Sequence, residues 1–322
     1  MELDFLYFFR VFSKLRVRLC PAHASFYIGS FLLFMALCSF SVAAQPTIEK
    51  KSLFTVYEKL KFAETEAEDL TLDLFIPNEI HETVPCIVVI QGGGFKSQDG
   101  QRFRHFAKYI AENHYAAALI SYRGLPDNTY KTTIRDVRSA VCYICRNSVK
   151  YSIDIENIGV MGRSAGATLT ALLAVGGNEL FEKKNECDSG IIKAAVAYAG
   201  VFDFIARYTD SSHIVLQPNI KTKIASNSEW IGCPFSEDNQ SWKNASAIYH
   251  ADKKDPPILF IHCKDDRVVP WIQSQEMYNK MKDAGIAAEV LYFESGGHGF
   301  QVNDRELYLQ PMLSFFKKHF DK

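Results

Sequence analysis

NIGVMGRSAGATLTALLA, Asn157 to Ala174, opens on a short apolar run from Ile158 to Met161. It passes through Gly162-Arg163-Ser164-Ala165-Gly166 and continues in small and aliphatic residues at helical spacing. Strand, tight turn and helix, with serine at the apex, is the setting that turns a G-x-S-x-G match into a nucleophile elbow. The physics asks for those residue types. Ser164 has to stand on a strained turn so that its hydroxyl clears the sheet, and a bulky residue at 162 or 166 would strike neighbouring backbone. The helix start behind the serine offers free backbone N–H groups able to receive negative charge. Five residues with three fixed positions also recur by chance, as a glycine-rich turn before an ordinary helix. The rest of the chain decides between the two readings.

A serine hydroxyl is a poor nucleophile at neutral pH, so it needs a base, and the base needs an orienting acid. An elbow therefore demands an Asp or Glu and then a His, in that order, each in a loop at the C-terminal end of a strand. After the apolar run Ile258 to His262 come Asp265 and Asp266, within Cys263-Lys264-Asp265-Asp266-Arg267-Val268-Val269-Pro270. After Ala287 to Phe293 comes Glu294-Ser295-Gly296-Gly297-His298-Gly299-Phe300, where glycine neighbours free the backbone to aim the imidazole. Alone, a loop aspartate is usually solvated and a single histidine is usually a surface residue. Together they meet an order and a placement set by Ser164. Backbone N–H donors for a developing oxyanion are expected at Ala165 and at Gly93 with Gly94, because Gln91-Gly92-Gly93-Gly94 follows a buried strand. The expected chemistry is hydrolysis by two-step acyl transfer, which needs no metal and no cofactor.

The flanking chain supplies a sheet for these loops. FTVYEKL and LTLDLFI, between Leu53 and Ile76, alternate as antiparallel edge strands do. Pro85 to Gln91, Ala116 to Tyr122 and Ile191 to Ala199 are continuous apolar runs, as in strands buried on both faces. Helical patterns over Arg104 to Asn113, Thr133 to Asn147, Gln273 to Ala284 and Glu306 to Phe320 separate or follow them. The alternation predicts an α/β fold, a mostly parallel sheet with helices on both faces. The regularity breaks from Val201 to Pro257, a stretch too long for a plain connection that carries Phe204, Tyr208, Trp230, Phe235 and Trp242. It reads as a small cap insertion over the edge of the sheet that binds ligands in open α/β folds. Asn244-Ala245-Ser246 within it fits a glycosylation acceptor, a match that is commonly incidental.

With 48% hydrophobic residues the 322-residue chain can bury a large core, and a net charge of −1 without a basic cluster in the body argues against nucleic acid as partner. A small-molecule or polysaccharide ester is the expected partner. At the N-terminus Arg10, Lys14, Arg16 and Arg18 precede an apolar run from Phe26 to Ala44 that ends in small residues. That pattern reads as an export signal cleaved after Ala44, giving a periplasmic or secreted protein of residues 45–322. The run is also long enough for an uncleaved membrane anchor. Leu37 before Cys38 argues against a lipoprotein site. Six cysteines remain beyond Ala44, and Cys142 and Cys145 form a C-x-x-C inside a helical pattern. With no second such pair and no histidine pair nearby, both are expected to be buried helix cysteines.

From about Val56 onward the chain resembles the α/β-hydrolase superfamily, above all the bacterial acetylxylan and feruloyl esterases and, more distantly, the hormone-sensitive-lipase-like carboxylesterases. The matching stretches are QGGGF, Ser121-Tyr122-Arg123, Asp136 in the next helix, GRSAGA, and PPILFIHCKDDRVVPWIQS running to GGHGF. The family pattern H-G-x-x-D-x-x-V-P lays Asp266 rather than Asp265 on the acid, Ser164 on the nucleophile and His298 on the base, and it implies a structural role for Asp136. Gln91 stands where the lipase-like members carry histidine, Cys263 replaces a glycine, and Arg163 puts a cation beside the nucleophile. Pairing of Arg163 with a nearby carboxylate is the plainer expectation, a preference for acidic substrates the sharper one. The resemblance implies acetyl or feruloyl esters of carbohydrate as substrates. Two rivals stay open, a small exopeptidase of the prolyl-oligopeptidase type and a silent hydrolase fold used for binding.

Overall fold

The computed structural model describes residues 47–66, 69–80, 82–176, 191–301 and 306–320. The chain divides into two units, Met1–Gln45 and Pro46–Lys322. The described residues all belong to the second, so the leader or anchor reading lies outside them. Among the described residues no helix is long and apolar enough to cross a membrane.

The second unit is built on one sheet of nine strands: β1 (Thr47–Lys50), β2 (Phe54–Glu64), β3 (Asp69–Pro77), β4 (Val84–Ile90), β5 (Ala116–Ile120), β6 (Ile153–Arg163), β7 (Ile192–Tyr198), β8 (Ile258–Cys263) and β9 (Ala288–Phe293). Their spatial order is β1-β2-β3-β5-β4-β6-β7-β8-β9. β1, β2 and β3 pair antiparallel, β3 joins β5 antiparallel, and every pairing from β5 through β9 is parallel. This is the α/β-hydrolase architecture, and it follows from composition. β4, β5 and β8 are apolar on both sides of the pleat and are buried almost throughout, as strands covered on both faces must be.

Among the described residues six longer helices accompany the sheet: α1 (Arg104–Glu112), α2 (Tyr130–Arg146), α3 (Ala165–Val175), α4 (Ile220–Ile231), α5 (Ile272–Asp283) and α6 (Glu306–Phe320). α2, α3 and α4 join the core on one face, with Tyr130, Leu169 and Trp230. α1 and α6 build the core of the other, with Phe106 and Phe316. Because β5 lies on one side of β4 and β6 on the other, the strand order reverses at β4. The loops after β4 and β6 emerge side by side there, the place where open α/β sheets bind ligands.

Two strands and one cysteine depart from what the sequence suggested. β1 was not anticipated, since its four residues are mostly exposed and carry no apolar signature. β6 starts at Ile153, five residues before the apolar run, and its pairing with β4 jumps from Pro85↔Asp154 to Cys86↔Ile158. Asp154 accepts from Glu156 N at 3.0 Å and from Asn157 Nδ2 at 2.7 Å, so polar residues occupy the irregularity and hide the strand. The large aromatics of residues 201–257 pack into the main core. Phe204, Trp230 and Trp242 are fully buried in the same core as the sheet, and Trp230 Nε1 donates to Thr133 Oγ1 on α2. Finally, Cys142 is buried as expected but is disulfide-bonded, whereas Cys145 is half-buried and free.

Candidate active site

β6 ends at Arg163 and α3 begins at Ala165, which leaves Ser164 alone to turn the chain. Its φ of 59° and ψ of −125° place a non-glycine residue in a backbone region that costs roughly 1–3 kcal/mol. Close packing holds it there. Ser164 N donates to Tyr198 O at 2.8 Å, and Ser164 O accepts from Ala167 N at 2.9 Å. A Cβ at Gly162 would lie 2.4 Å from Gly166 O, and one at Gly166 would lie 2.1 Å from Ile90 O. Hydrogen is therefore the only side chain that fits at either position. α3 can then sit directly on β4 and β6, with nearly every residue buried.

Ser164 Oγ lies 2.8 Å from His298 Nε2, and His298 Nδ1 lies 2.7 Å from Asp266 Oδ2. The loops after β6, β8 and β9 thus bring three residues spread over 134 positions into one hydrogen-bonded line. Asp266 is 2% exposed. Its Oδ1 accepts from Val268 N at 2.8 Å and Val269 N at 3.0 Å, while Oδ2 faces both His298 and His262 Nε2, the latter at 3.3 Å. Burial would raise this carboxyl. Hydrogen bonds from His262 and His298 outweigh it and hold Asp266 well below the usual carboxylate range. The acid is ionised and has every lone pair engaged.

A second set of residues fixes this line in place. His262 is fully buried, with Nδ1 on Ser274 Oγ at 2.7 Å and Nε2 on Val269 O at 3.0 Å. Buried Arg207 donates to Val268 O at 2.7 Å. Asp265 does not point at His298. It accepts from Gly297 N at 2.8 Å and Gly296 N at 3.2 Å, and so ties the histidine loop to the acid loop. None of these three roles was assigned from sequence, because each depends on which backbone or side-chain group the folded loops bring to the residue. The pair Asp265-Asp266 was the one visible signal. Asp136, on α2, makes a two-pronged pair with Arg123, Nε at 2.9 Å and Nη2 at 2.6 Å, away from the serine.

The glycine loop after β4 leaves from contact with the elbow, for a Cβ on Gly92 would lie 2.0 Å from Arg163 O and 3.1 Å from Ser164 Cβ. Gly94 takes a left-handed φ of 64°. The N–H groups of Gly93, Gly94 and Ala165 make no hydrogen bond among the described residues. They are free donors beside the serine. The loop is pinned from behind. Tyr122 OH donates to Gln91 O, Gln91 Nε2 donates to Gln98 Oε1, and Arg102 Nη2 donates to Gly92 O at 3.0 Å. Phe95, next in the loop, stacks on Trp230 with ring centroids 3.8 Å apart, which couples the glycine loop to residues 201–257.

Among the described residues Arg163 meets no carboxylate, contrary to the plainer expectation. Its Nη1 donates to Gly299 O at 3.2 Å and its guanidinium lies over the Phe103 ring at 5.1 Å. Cys263 is buried and free, and burial pushes its thiol up to about 12, so it is an inert filler in the acid loop. Among the described residues no group of three His, Cys, Asp or Glu side chains could hold a metal ion.

Comparison with known proteins finds relatives and structural neighbours that are esterases. The BD-FAE family model matches residues 72–281. The esterase LipQ of Mycobacterium tuberculosis is 27% identical over 223 residues, 68% of this chain and 51% of that protein. The isoprenylcysteine alpha-carbonyl methylesterase ICME of Arabidopsis thaliana is 26% identical over 256 residues, 75% of this chain and 55% of that one. The chain thus spans about half the length of the curated relatives it matches. Among solved structures, a truncated carbohydrate esterase from gut microbiota superposes with a TM-score of 0.70 at 24% identity, covering 85% of this chain and 99% of the other.

Proposed function

The chain belongs to the BD-FAE family, and from that premise we propose that it is a serine carboxylic-ester hydrolase working through Ser164, His298 and Asp266. The observation that carries the reading is the unbroken line from Ser164 Oγ to His298 Nε2 at 2.8 Å and from His298 Nδ1 to Asp266 Oδ2 at 2.7 Å. Neutral His298, with its Nδ1–H on Asp266, accepts the serine proton at Nε2 as Oγ attacks the ester carbonyl. Charge collects on the carbonyl oxygen and is met by the free N–H groups of Gly93, Gly94 and Ala165. Donors of this kind are worth roughly 2.7–4 kcal/mol each when aimed in advance. Protonated His298 then gives its proton to the leaving alcohol, and water, deprotonated by the same imidazole, frees the acid from Ser164.

The acyl group we propose is acetyl or another small acyl on carbohydrate, in line with the resemblance to acetylxylan and feruloyl esterases. Residues 201–257, reaching the glycine loop through Trp230 and Phe95, are suited to act as the cap that shapes the acyl side. The basic and apolar N-terminus fits an exported enzyme with such a substrate. The deciding experiment is turnover of acetyl, butyryl and feruloyl esters by the wild type and by Ser164→Ala. Loss of the hydroxyl is expected to lower kcat by roughly 10⁴–10⁶. Activity that survives the substitution would remove Ser164 from the mechanism. Faster cleavage of an aminoacyl amide than of any ester would move the reading to an exopeptidase.

A further inference from the structure

Arginines near the edge of the site fall into two groups. Arg104 pairs with Asp73 at 2.6 Å and with Glu58, and Arg123 is held by both oxygens of Asp136. Arg207 is buried, but Asp266 lies close enough to act on its charge. Arg102 and Arg163 have no carboxylate at all among the described residues. Arg102 Nη2 meets Gly92 O and Gln98 Oε1, each at 3.0 Å. Arg163 meets Gly299 O and the face of Phe103. A carbonyl oxygen or an aromatic face supplies partial charge only, and a cation drawn partly out of water, as Arg163 is, ordinarily has a full counter-charge, whereas exposed Arg102 keeps its water.

Burial pushes the Arg163 guanidinium down from its ordinary value, and the charge of Arg102 adds to that push. The Arg163 guanidinium nevertheless stays cationic at neutral pH. Among the described residues, carboxylates on the surrounding elements are engaged elsewhere. Asp99 accepts from Gln101 N, Glu306 takes the Tyr109 hydroxyl, Asp265 takes Gly296 and Gly297, and Asp266 takes the histidines. Two like charges therefore stand together, each tied to the backbone of a loop that borders Ser164, the glycine loop in one case and the histidine loop in the other. The position has a sidedness. Phe103, under Arg163, belongs to the core on the α1 and α6 face, whereas Phe95 and Trp230 belong to the core on the α2 and α3 face. The serine thus has an aromatic side and a cationic side.

We propose that Arg102 and Arg163 form an anion subsite beside Ser164, and that the substrate is an ester whose alcohol part carries a carboxylate, as an acylated acidic sugar does. This rests on the esterase reading above. The alcohol part is assigned because Arg163 holds the peptide next to His298, the residue that protonates the leaving oxygen. Within that reading the subsite adds electrostatic capture of one end of the molecule while the aromatic side receives the acyl group.

The test uses two matched acetate esters, 4-acetoxybenzoate and neutral 4-acetoxybenzamide, with wild type, Arg102→Gln, Arg163→Gln and Arg163→Lys in the full chain. The quantity read is the ratio of kcat/KM for the anionic over the neutral ester, so that intrinsic reactivity and general damage cancel between variants. Each Gln substitution is expected to lower the ratio about tenfold, the worth of one charge-assisted hydrogen bond. Arg163→Lys is expected to retain part of it, and raising the salt concentration to weaken it in the wild type. If both esters slow together and the ratio does not move, the arginines only position their loops and the subsite is refuted. Arg102 is exposed, so its variant carries the test should Arg163→Gln fail to fold. A wild type that cleaves neither ester overturns the esterase reading itself, and the subsite with it.

Discussion

The acid loop and the histidine loop lie side by side, yet they hold their functional side chains in opposite ways. Asp266 is fixed by its own loop, since Val268 N and Val269 N saturate one oxygen and the pair of imidazoles takes the other. The side chain of His298 is 22% exposed and sits between glycines that impose nothing on it. Its position comes from outside, from Asp265 on Gly296 and Gly297 and from Arg163 on Gly299. A group that must only stay charged and still can be locked by local backbone. A group that must take and give a proton has to face the substrate, so its restraints come from neighbours that do not cover it.

That contrast can be broken most severely at the acid. Asp266→Asn keeps the volume but replaces an acceptor with an amide, which cannot hold the Nδ1–H tautomer that leaves Nε2 free for Ser164. The expected loss in kcat is about 10⁴-fold. An activity within a factor of ten of wild type would mean that His298 is oriented without its acid. The same substitution gives a smaller, thermodynamic readout. Because folding lowers the carboxyl below its unfolded value of about 3.9, the charged form favours the fold. That contribution is complete above the unfolded value and is lost as pH falls towards the folded one. The gap in melting temperature between wild type and Asp266→Asn is therefore expected to stay flat from pH 8 to about 5 and to close only below about pH 4. A gap that closes near pH 6 would show that the four hydrogen bonds do not hold the carboxylate.

The unequal restraint also explains what could be read from the chain in advance. The elbow was legible because every requirement is local: an apolar run, two glycines that tolerate 2.4 Å and 2.1 Å approaches, and a helix of small residues. The order Ser164, Asp266, His298 was legible because it follows from parallel strands that each end at the same edge. Asp265, His262, Arg207 and Arg102 were not, since nothing in a single sequence marks which backbone N–H or carbonyl a side chain will reach. The three short helices of residues 201–257 escaped notice for another reason. Ala206–Thr209, Ser211–Ile214 and Gln240–Asn244 are one-turn pieces without a periodicity to detect, and their aromatics were free to join a core already built by the sheet.

The mildest test lies at Asp265, where the two loops meet. Its carboxylate is exposed and takes two backbone N–H groups, so its removal leaves no buried atom unpaired, and water can serve both donors. Asp265→Ala should therefore change stability by no more than about 1 kcal/mol. The histidine loop, however, loses its tie to the acid loop, and His298 spends less time in line with Ser164. A misplacement of this sort acts on the reacting geometry rather than on substrate affinity. The expected result is a kcat lowered about tenfold with KM nearly unchanged. Asn at the same position keeps one acceptor and should recover part of the loss. A fall in thermal stability with kcat intact would instead make Asp265 a plain loop anchor, and the histidine loop would then owe its position to Arg163 alone.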